Sequence, residues 1–353
     1  MATRSMYAFR FSCRSPWYDR GHGRHALIDR RTPPPYRPGW SGHRLRFARF
    51  VDAPGVASAA CRSSSPILRA RRAVTGQHAR GPSPPPDAAE HRTDDDSAHT
   101  TRRTGMKIGI MGAGSIGSVL ADRLSAHGHQ VKIANSRGPE TISAEVLASG
   151  AEAVRADQVA AGVDVLITSV PLVRVPDLKP LLGQLPGEAV VIDTSNYYPA
   201  RDGHIEALDG GLVESRWVEE QLGRSIVKAW NAITAQSFGA YAAPSGASGR
   251  IAVPVAADHD DDRGLGMSLV EQTGFQGFDA GTITDSWRQQ PGTPVYCTDL
   301  TADEMPRALE SAIAARSPRR RDLAMNVISE LMGDPTSELG EDFLVRVNRL
   351  LYV

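Results

Sequence analysis

Met106-Lys107-Ile108-Gly109-Ile110-Met111-Gly112-Ala113-Gly114-Ser115-Ile116-Gly117 is the stretch of this 353-residue chain whose reading decides its fold. Residues 107–111 make an apolar run of strand length. The G-x-G-x-x-G of Gly112 to Gly117 then opens a helical pattern over 115–127 that stops at Gly128, and a second apolar run follows at 131–134. Each glycine has its own physical reason. Gly112 permits a tight turn, Gly114 lets a ligand approach the backbone, and Gly117 lets helix and strand pack closely. Between them Ala113, Ser115 and Ile116 place backbone N–H groups at a helix N-terminus, where they can hold a pyrophosphate. Strand, glycine turn and helix in this order predict a dinucleotide-binding unit.

The second strand ends in Ala134-Asn135-Ser136-Arg137-Gly138. A unit that prefers NAD places an acid about 20 residues past the glycines, where it binds the ribose hydroxyls. Here an amide, a hydroxyl and a guanidinium stand instead. Asn135, Ser136 and Arg137 suit a 2′-phosphate, and Arg137 can pair with it bidentately where a carboxylate would repel it. NADP is therefore the expected cofactor. The competing reading makes Arg137 a solvated loop cation.

Outward from this unit, further short apolar runs lie at 163–170, 189–193, 225–229, 251–256 and, more weakly, 275–279. Amphipathic stretches at 140–149 and 264–273 separate some of them. Alternation of this kind predicts an α/β fold, a Rossmann-type doubly wound parallel sheet with a smaller C-terminal α/β part. We divide the chain into a leader (1–105), an NADP-binding domain (106–230) and a smaller substrate-side part (231–353). Ligands of such sheets sit beyond the carboxyl ends of the strands, so Ser169, Val170 and Pro171 are expected along the nicotinamide ribose. Asp193-Thr194-Ser195-Asn196 ends the next strand on the same rim, either as cofactor or substrate contact or as a hydrogen-bonded turn. Segments 302–316, 320–332 and 340–351 read as short helices that cover the cleft or form a dimer surface, with the basic run Pro318 to Arg321 as a solvated loop between them.

The leader has a different character. Net charge is zero over the whole chain, yet residues 1–105 carry +11 and the remainder −11. The leader is rich in Arg, Pro, Ser and Gly, with Pro-Pro-Pro at 33–35 and 84–86, and lacks apolar periodicity. Such a composition predicts disorder. It resembles a transit peptide loosely, and an upstream start codon called too early explains it more plainly, since Met106 opens a strand directly. The balanced total and the lack of a long apolar run suggest neither nucleic-acid nor membrane binding. Cys13, Cys61 and Cys297 are scattered, which fits a reducing, cytoplasmic setting without disulfides or a metal site.

Titratable groups with catalytic potential are few. Lys228 lies in a strand-like run and His204 in the loop 200–211; each is a weak candidate acid or base, and Lys228 reads equally well as an edge residue. His127 and His129 flank a helix-ending glycine, and Asp258-His259-Asp260-Asp261-Asp262 precedes a helical stretch. Helix capping explains both better than metal binding. Cys297 reads as an ordinary thiol.

These residues together resemble the deazaflavin (coenzyme F420)-dependent NADP oxidoreductases and related dinucleotide-binding enzymes, from Met106 to about Leu300. The resemblance rests on the glycine motif, on Ala134 to Glu140, on Asp193 to Asn196 and on Val227-Lys228-Ala229-Trp230-Asn231, where the family usually has Phe in place of Trp230. Ser286-Trp287-Arg288-Gln289-Gln290-Pro291-Gly292-Thr293-Pro294 looks like the mark of one branch. The family implies a two-part body in which a small-molecule redox partner, a deazaflavin, stacks over the nicotinamide. It also implies that Gly114 to Gly117 with Ser136 and Arg137 hold NADP, and that Asn196, His204, Lys228 and Asn231 lie near the cleft.

Hydride transfer between two flat rings needs mainly proximity and alignment, so a catalytic triad is not required. The leading expectation is an NADP-dependent oxidoreductase passing hydride to a deazaflavin or flavin-like acceptor. Two alternatives stay open: reduction of a small carbonyl or imine, and a non-catalytic NADP-binding redox sensor. A long helical second domain bearing a catalytic lysine is missing, and the only lysines are Lys107, Lys132, Lys179 and Lys228. Both facts count against the first alternative.

Overall fold

The computed structural model describes residues 105–353, apart from positions 335 and 338. The reading of residues 1–105 as a disordered leader thus falls, but for Gly105, outside the described residues.

Six strands form the main sheet: β1 (Lys107–Met111), β2 (Gln130–Ala134), β3 (Glu152–Ala153), β4 (Val165–Thr168), β5 (Val190–Asp193) and β6 (Val227–Lys228). Their spatial order is β3-β2-β1-β4-β5-β6, with every neighbouring pair parallel. The chain runs outward from β1 to β3, returns to the centre, and runs the other way from β4. That reversal leaves a crevice at the carboxyl ends of β1 and β4, where open α/β sheets take their ligands.

Helices in chain order are α1 (Ser115–Ala126), α2 (Ala144–Leu147), α3 (Lys179–Leu182), α4 (Pro199–Asp202), α5 (Glu206–Asp209) and α6 (Glu214–Leu222). They continue with α7 (Ala235–Ala240), α8 (Asp260–Gln272), α9 (Met305–Glu310), α10 (Ser317–Gly333) and α11 (Phe343–Tyr352). Side chains of a strand alternate between faces, and the sheet is covered accordingly. Ile108, Ile110, Val165 and Ile167 pack with Leu120 and Leu124 of α1 and Leu269 of α8. Leu166 and Val191 face the other layer, with Leu172, Val175 and the α6 residues Val218 and Leu222. Burying a leucine such as Leu120 contributes about 1.5–3 kcal/mol, so these two layers hold the sheet in place.

Past β6 the chain builds a second, two-stranded parallel sheet from β7 (Ala252–Val255) and β8 (Gln276–Asp279), with α8 as the crossover. An antiparallel bridge between Lys228 and Ala256 joins it to the main sheet, N–H to carbonyl at 2.8 and 3.0 Å. A third apolar cluster, with Val295, Tyr296, Met305, Ala324 and Tyr352, seats α9, α10 and α11.

Several elements differ from the sequence reading. β3 has no counterpart there, because two residues, Glu152 and Ala153, offer no apolar run. The stretch 140–149 divides into a 3-10 turn at Pro139–Thr141 and the short α2. α8 begins at Asp260, four residues earlier than its apolar pattern, because Asp260, Asp261 and Asp262 fill its first turn and complement the helix dipole. Pro318 to Arg321 is no loop: it forms the first turn of α10, where proline is well tolerated. Arg321 is buried there with its guanidinium 5.2 Å from the centre of the Tyr197 ring, and Arg320 donates to the Tyr352 carbonyl. Among the described residues no helix is long and apolar enough to cross a membrane.

Candidate cofactor and substrate site

The glycine turn stands at the carboxyl end of β1. Gly112 has φ 119°, and a Cβ there would lie 2.0 Å from the Ser169 carbonyl oxygen; a Cβ at Gly117 would lie 1.9 Å from that of Gly112. Both positions are closed to any side chain, as a turn drawn tight between β1 and α1 requires. Gly114 is the opposite case. It is the N-cap of α1, exposed, and a Cβ there would meet nothing within 4 Å. No side chain caps that helix end. With Ala113, Ser115 and Ile116 it leaves backbone N–H groups facing open space, which fits a pyrophosphate.

The loop after β2 is shaped by Asn135. Its Oδ1 accepts from the Arg137 and Gly138 backbone N–H groups at 2.9 and 3.0 Å, and its Nδ2 donates to Thr141 Oγ1. Asn135 therefore spends its amide on the turn itself. Ser136 and Arg137 are left exposed at the tip, and among the described residues Arg137 makes no ion pair. A free guanidinium beside a hydroxyl fits a 2′-phosphate.

Ser169 and Val170 lie half-buried and Pro171 exposed beyond β4. Ser169 is tied to β1 through its N–H to the Met111 carbonyl at 2.8 Å. Next along the rim, Asp193 is wholly buried and accepts from Thr168 Oγ1, Ser195 N and Oγ, and Lys228 Nζ. Lys228 is no solvated edge residue, although β6 ends the sheet. The bridge to Ala256 covers it, and its Nζ donates to Asp193 Oδ2 at 2.6 Å and to the Ser195 carbonyl at 2.5 Å. The lysine holds the turn 194–196 in place.

Asn196 projects from that turn, half-buried, and its amide exchanges hydrogen bonds with Asn231. His204 is elsewhere. It is exposed and bonded to Asp209 at 2.9 Å, on the wall of a cleft of about 420 Å³ between residues 198–209 and α10, which Arg321, Met325 and Asn326 also line. The glycine turn, Ser136, Arg137, Ser169 and Asn196 thus share the carboxyl rim of the sheet, while His204 belongs to the neighbouring cleft.

Two residues, Gln289 and Glu214, escaped the sequence reading as site residues. Gln289 reaches Asn231 from the 3-10 turn Ile283–Gln289. Ser195, already within the cluster Asp193 to Asn196, takes up the hydrogen-bonded turn, its N–H and Oγ both donating to Asp193 Oδ2. Glu214 opens α6, buried, and its Oε2 accepts from the Tyr197 N–H. Burial pushes the Glu214 carboxyl up to about 7, against the opposing pull of Lys228, the Tyr197 N–H and Arg321. Gln289 stands inside a quoted motif, but no local pattern announces a contact made across 58 residues. Cys297 is buried, which pushes its thiol up and leaves it an ordinary core residue. Among the described residues no three His, Cys, Asp or Glu side chains gather as a metal site would need.

Residues 107–197 match the family described as NADP oxidoreductase, coenzyme F420-dependent. The protein YjhV of Escherichia coli K12 is 41% identical over 95 residues, which cover 27% of this chain and 69% of that one. The crystal structure of a hypothetical protein, SMa0349 of Sinorhizobium meliloti, is 31% identical over 56% of this chain and 95% of its own, with a TM-score of 0.47. A proposed F420-dependent NADP reductase of Arthrobacter sp. FB24 is 21% identical over 52% of this chain and 87% of its own, with a TM-score of 0.43.

Proposed function

Since the chain belongs to the coenzyme F420-dependent NADP oxidoreductase family and is an NADP-dependent oxidoreductase, we propose that it passes hydride between NADP(H) and a deazaflavin or flavin-like acceptor. The observation that carries this reading is the rim itself. An open helix N-terminus at Gly114 and Arg137, without an ion pair among the described residues, stand at one end, and the polar turn Thr194 to Asn196 stands at the other. When bound there, the nicotinamide would supply the hydride chemistry. The chain's own residues do the rest: Gly114 to Gly117 hold the diphosphate, Ser136 and Arg137 the 2′-phosphate, and Ser169, Val170, Pro171 and Asn196 align the reactive half.

Reduction of a carbonyl or imine by way of Lys228 is less well supported. The Lys228 ammonium is enclosed and committed to Asp193 and Ser195, so it has no path to a substrate oxygen or nitrogen. His204 is bonded to Asp209 on an exposed wall.

The full chain should be mixed anaerobically with NADPH and an oxidised deazaflavin, with loss of deazaflavin absorbance followed in time and FMN, ferric chelate and no acceptor as controls. Rapid reduction of deazaflavin alone is the expected result. Tight NADPH binding with no turnover of any acceptor would overturn the acceptor assignment and favour a sensing role.

A further inference from the structure

The half-buried Asn196 amide is gripped from behind. Its Nδ2 donates to the Asn231 carbonyl at 2.9 Å, and its Oδ1 accepts from Asn231 Nδ2 at 3.1 Å. Asn231 is held in turn: its Nδ2 spends its second N–H on the Gln289 carbonyl at 2.9 Å, and its Oδ1 accepts from Gln289 Nε2 at 2.9 Å. Gln289 is wholly buried, and its Nε2 also reaches the Lys228 carbonyl at 3.4 Å. Three amides from three separate segments therefore form one chain that ends at the rim.

Two features bear on this chain. Trp230, just before Asn231, adopts φ 54°, a left-handed conformation that a bulky residue takes only when its surroundings impose it. Gln289 Oε1 is buried without a hydrogen-bond partner among the described residues, a cost of about 1–3 kcal/mol that an apolar residue would not carry. Trp230 is fixed in the core by packing and by its Nε1 bond to Thr273 Oγ1, but packing does not explain a buried, unpartnered amide oxygen at Gln289. The unpartnered Gln289 Oε1 follows if Gln289 is kept for the hydrogen bond that orients Asn231.

An asparagine amide has two N–H donors and two acceptor lone pairs. Asn196 spends one of each on Asn231, so one N–H and one lone pair remain, in a fixed orientation, at the carboxyl end of β5. If the 2′-phosphate is held beyond β2 and the diphosphate beyond β1, the other half of the dinucleotide extends over β4 and β5. The ribose hydroxyls there also donate and accept, but only the nicotinamide carboxamide presents an N–H and a carbonyl lone pair side by side in one plane, the complement of the N–H and lone pair left on a planar amide. We propose that Asn231 and Gln289 are positioning residues that preset the Asn196 amide to read that carboxamide, making a planar primary amide the group this end of the site selects. The inference rests on the NADP reading above.

The test uses binding to the full chain and needs no acceptor. Three probes are titrated: NADP, its 3-acetylpyridine analogue (methyl in place of the carboxamide NH2), and 2′-phospho-ADP-ribose, which lacks the nicotinamide. Wild type should prefer NADP to the analogue by about tenfold, the worth of one good hydrogen bond. Gln289→Met should bring that preference to within about twofold while leaving 2′-phospho-ADP-ribose affinity unchanged, an effect that general loosening would not produce. Asn196→Ala, at a half-buried position, should do the same and decides the matter if the core variant does not fold. Unchanged preference in a folded Gln289→Met or in Asn196→Ala, or no preference in wild type, overturns the inference. Failure of 2′-phospho-ADP-ribose to bind wild type would instead overturn the NADP reading beneath it.

Discussion

Asp193 and Lys228 stand directly opposite each other in the parallel register of β5 and β6, and the Lys228 Nζ lies 2.6 Å from Asp193 Oδ2 with both side chains shut off from solvent. The pair is a strut under the polar rim, since Asp193 also collects both Ser195 donors and Lys228 also donates to the Ser195 carbonyl. Removing one member of a buried ion pair strands the other, at about 3–5 kcal/mol, whereas replacing both with apolar residues is often far milder. Lys228→Met should therefore lower unfolding free energy by about that amount in urea titrations, and Asp193→Leu with Lys228→Met should recover much of it. A Lys228→Met protein that kept full stability while losing turnover would show instead that the lysine acts on substrate.

Arg137 stands exposed at the end of a turn that Asn135 holds, without an acid of its own among the described residues. Only NADPH carries the phosphate it would meet. Arg137→Ala should weaken NADPH by about tenfold or more, as loss of a charge-assisted contact of 1.5–3 kcal/mol implies, with NADH nearly unchanged. Equal weakening of both nucleotides in fluorescence titrations would remove the phosphate role.

Exposed Gly114 and buried Gly117 give a paired prediction. Gly114 has φ −82° and ψ −171°, backbone open to any residue, and empty space where a Cβ would stand. Gly117→Ala would drive a methyl group into the Gly112 carbonyl, so it should lower the melting temperature by several degrees, roughly 4–8 °C for each 1 kcal/mol in a small domain and less in a larger one. Gly114→Ala should melt as wild type does and still bind NADPH far more weakly, because only the ligand meets the new methyl. Undiminished NADPH binding by Gly114→Ala would place the diphosphate elsewhere.

The doubly wound parallel sheet follows from features written along the chain: apolar runs, the glycine motif, and helical stretches between. β3 was invisible because its pairing with β2 supplies what its own two residues lack. The site divides the same way. Gly114, Gly117 and the turn that presents Arg137 are legible because their geometry depends on neighbours a few residues away, whereas Gly112 is closed by the Ser169 carbonyl 57 positions on. Lys228 was ambiguous because its burial depends on Ala256 and Asp193, contacts set by how β5, β6 and β7 come together. The run at 318–321 reads as surface by composition, yet Arg321 finds the Tyr197 ring 124 positions away in sequence.

Glu214 offers the last test, one of charge against burial. Its carboxyl is raised to about 7 chiefly by burial, with Asp193 adding to the rise and Lys228, the Tyr197 N–H and Arg321 opposing it. An unfolded chain would titrate this group near 4.5. Between those values the folded state holds the proton and the unfolded state has released it, so stability from this group is fully present below about pH 4.5 and is lost as pH rises towards 7. Glu214→Gln keeps an oxygen for the Tyr197 N–H and cannot ionise. The variant should match wild type near pH 4.5, gain on it as pH rises, and stand ahead by on the order of 3 kcal/mol at pH 8, with little further change above that. Urea unfolding of both proteins at pH 5, 6, 7 and 8 reads the gap directly. Parallel curves across that range would mean that the Glu214 carboxyl is ionised throughout and that water or a protein donor, rather than burial, governs it.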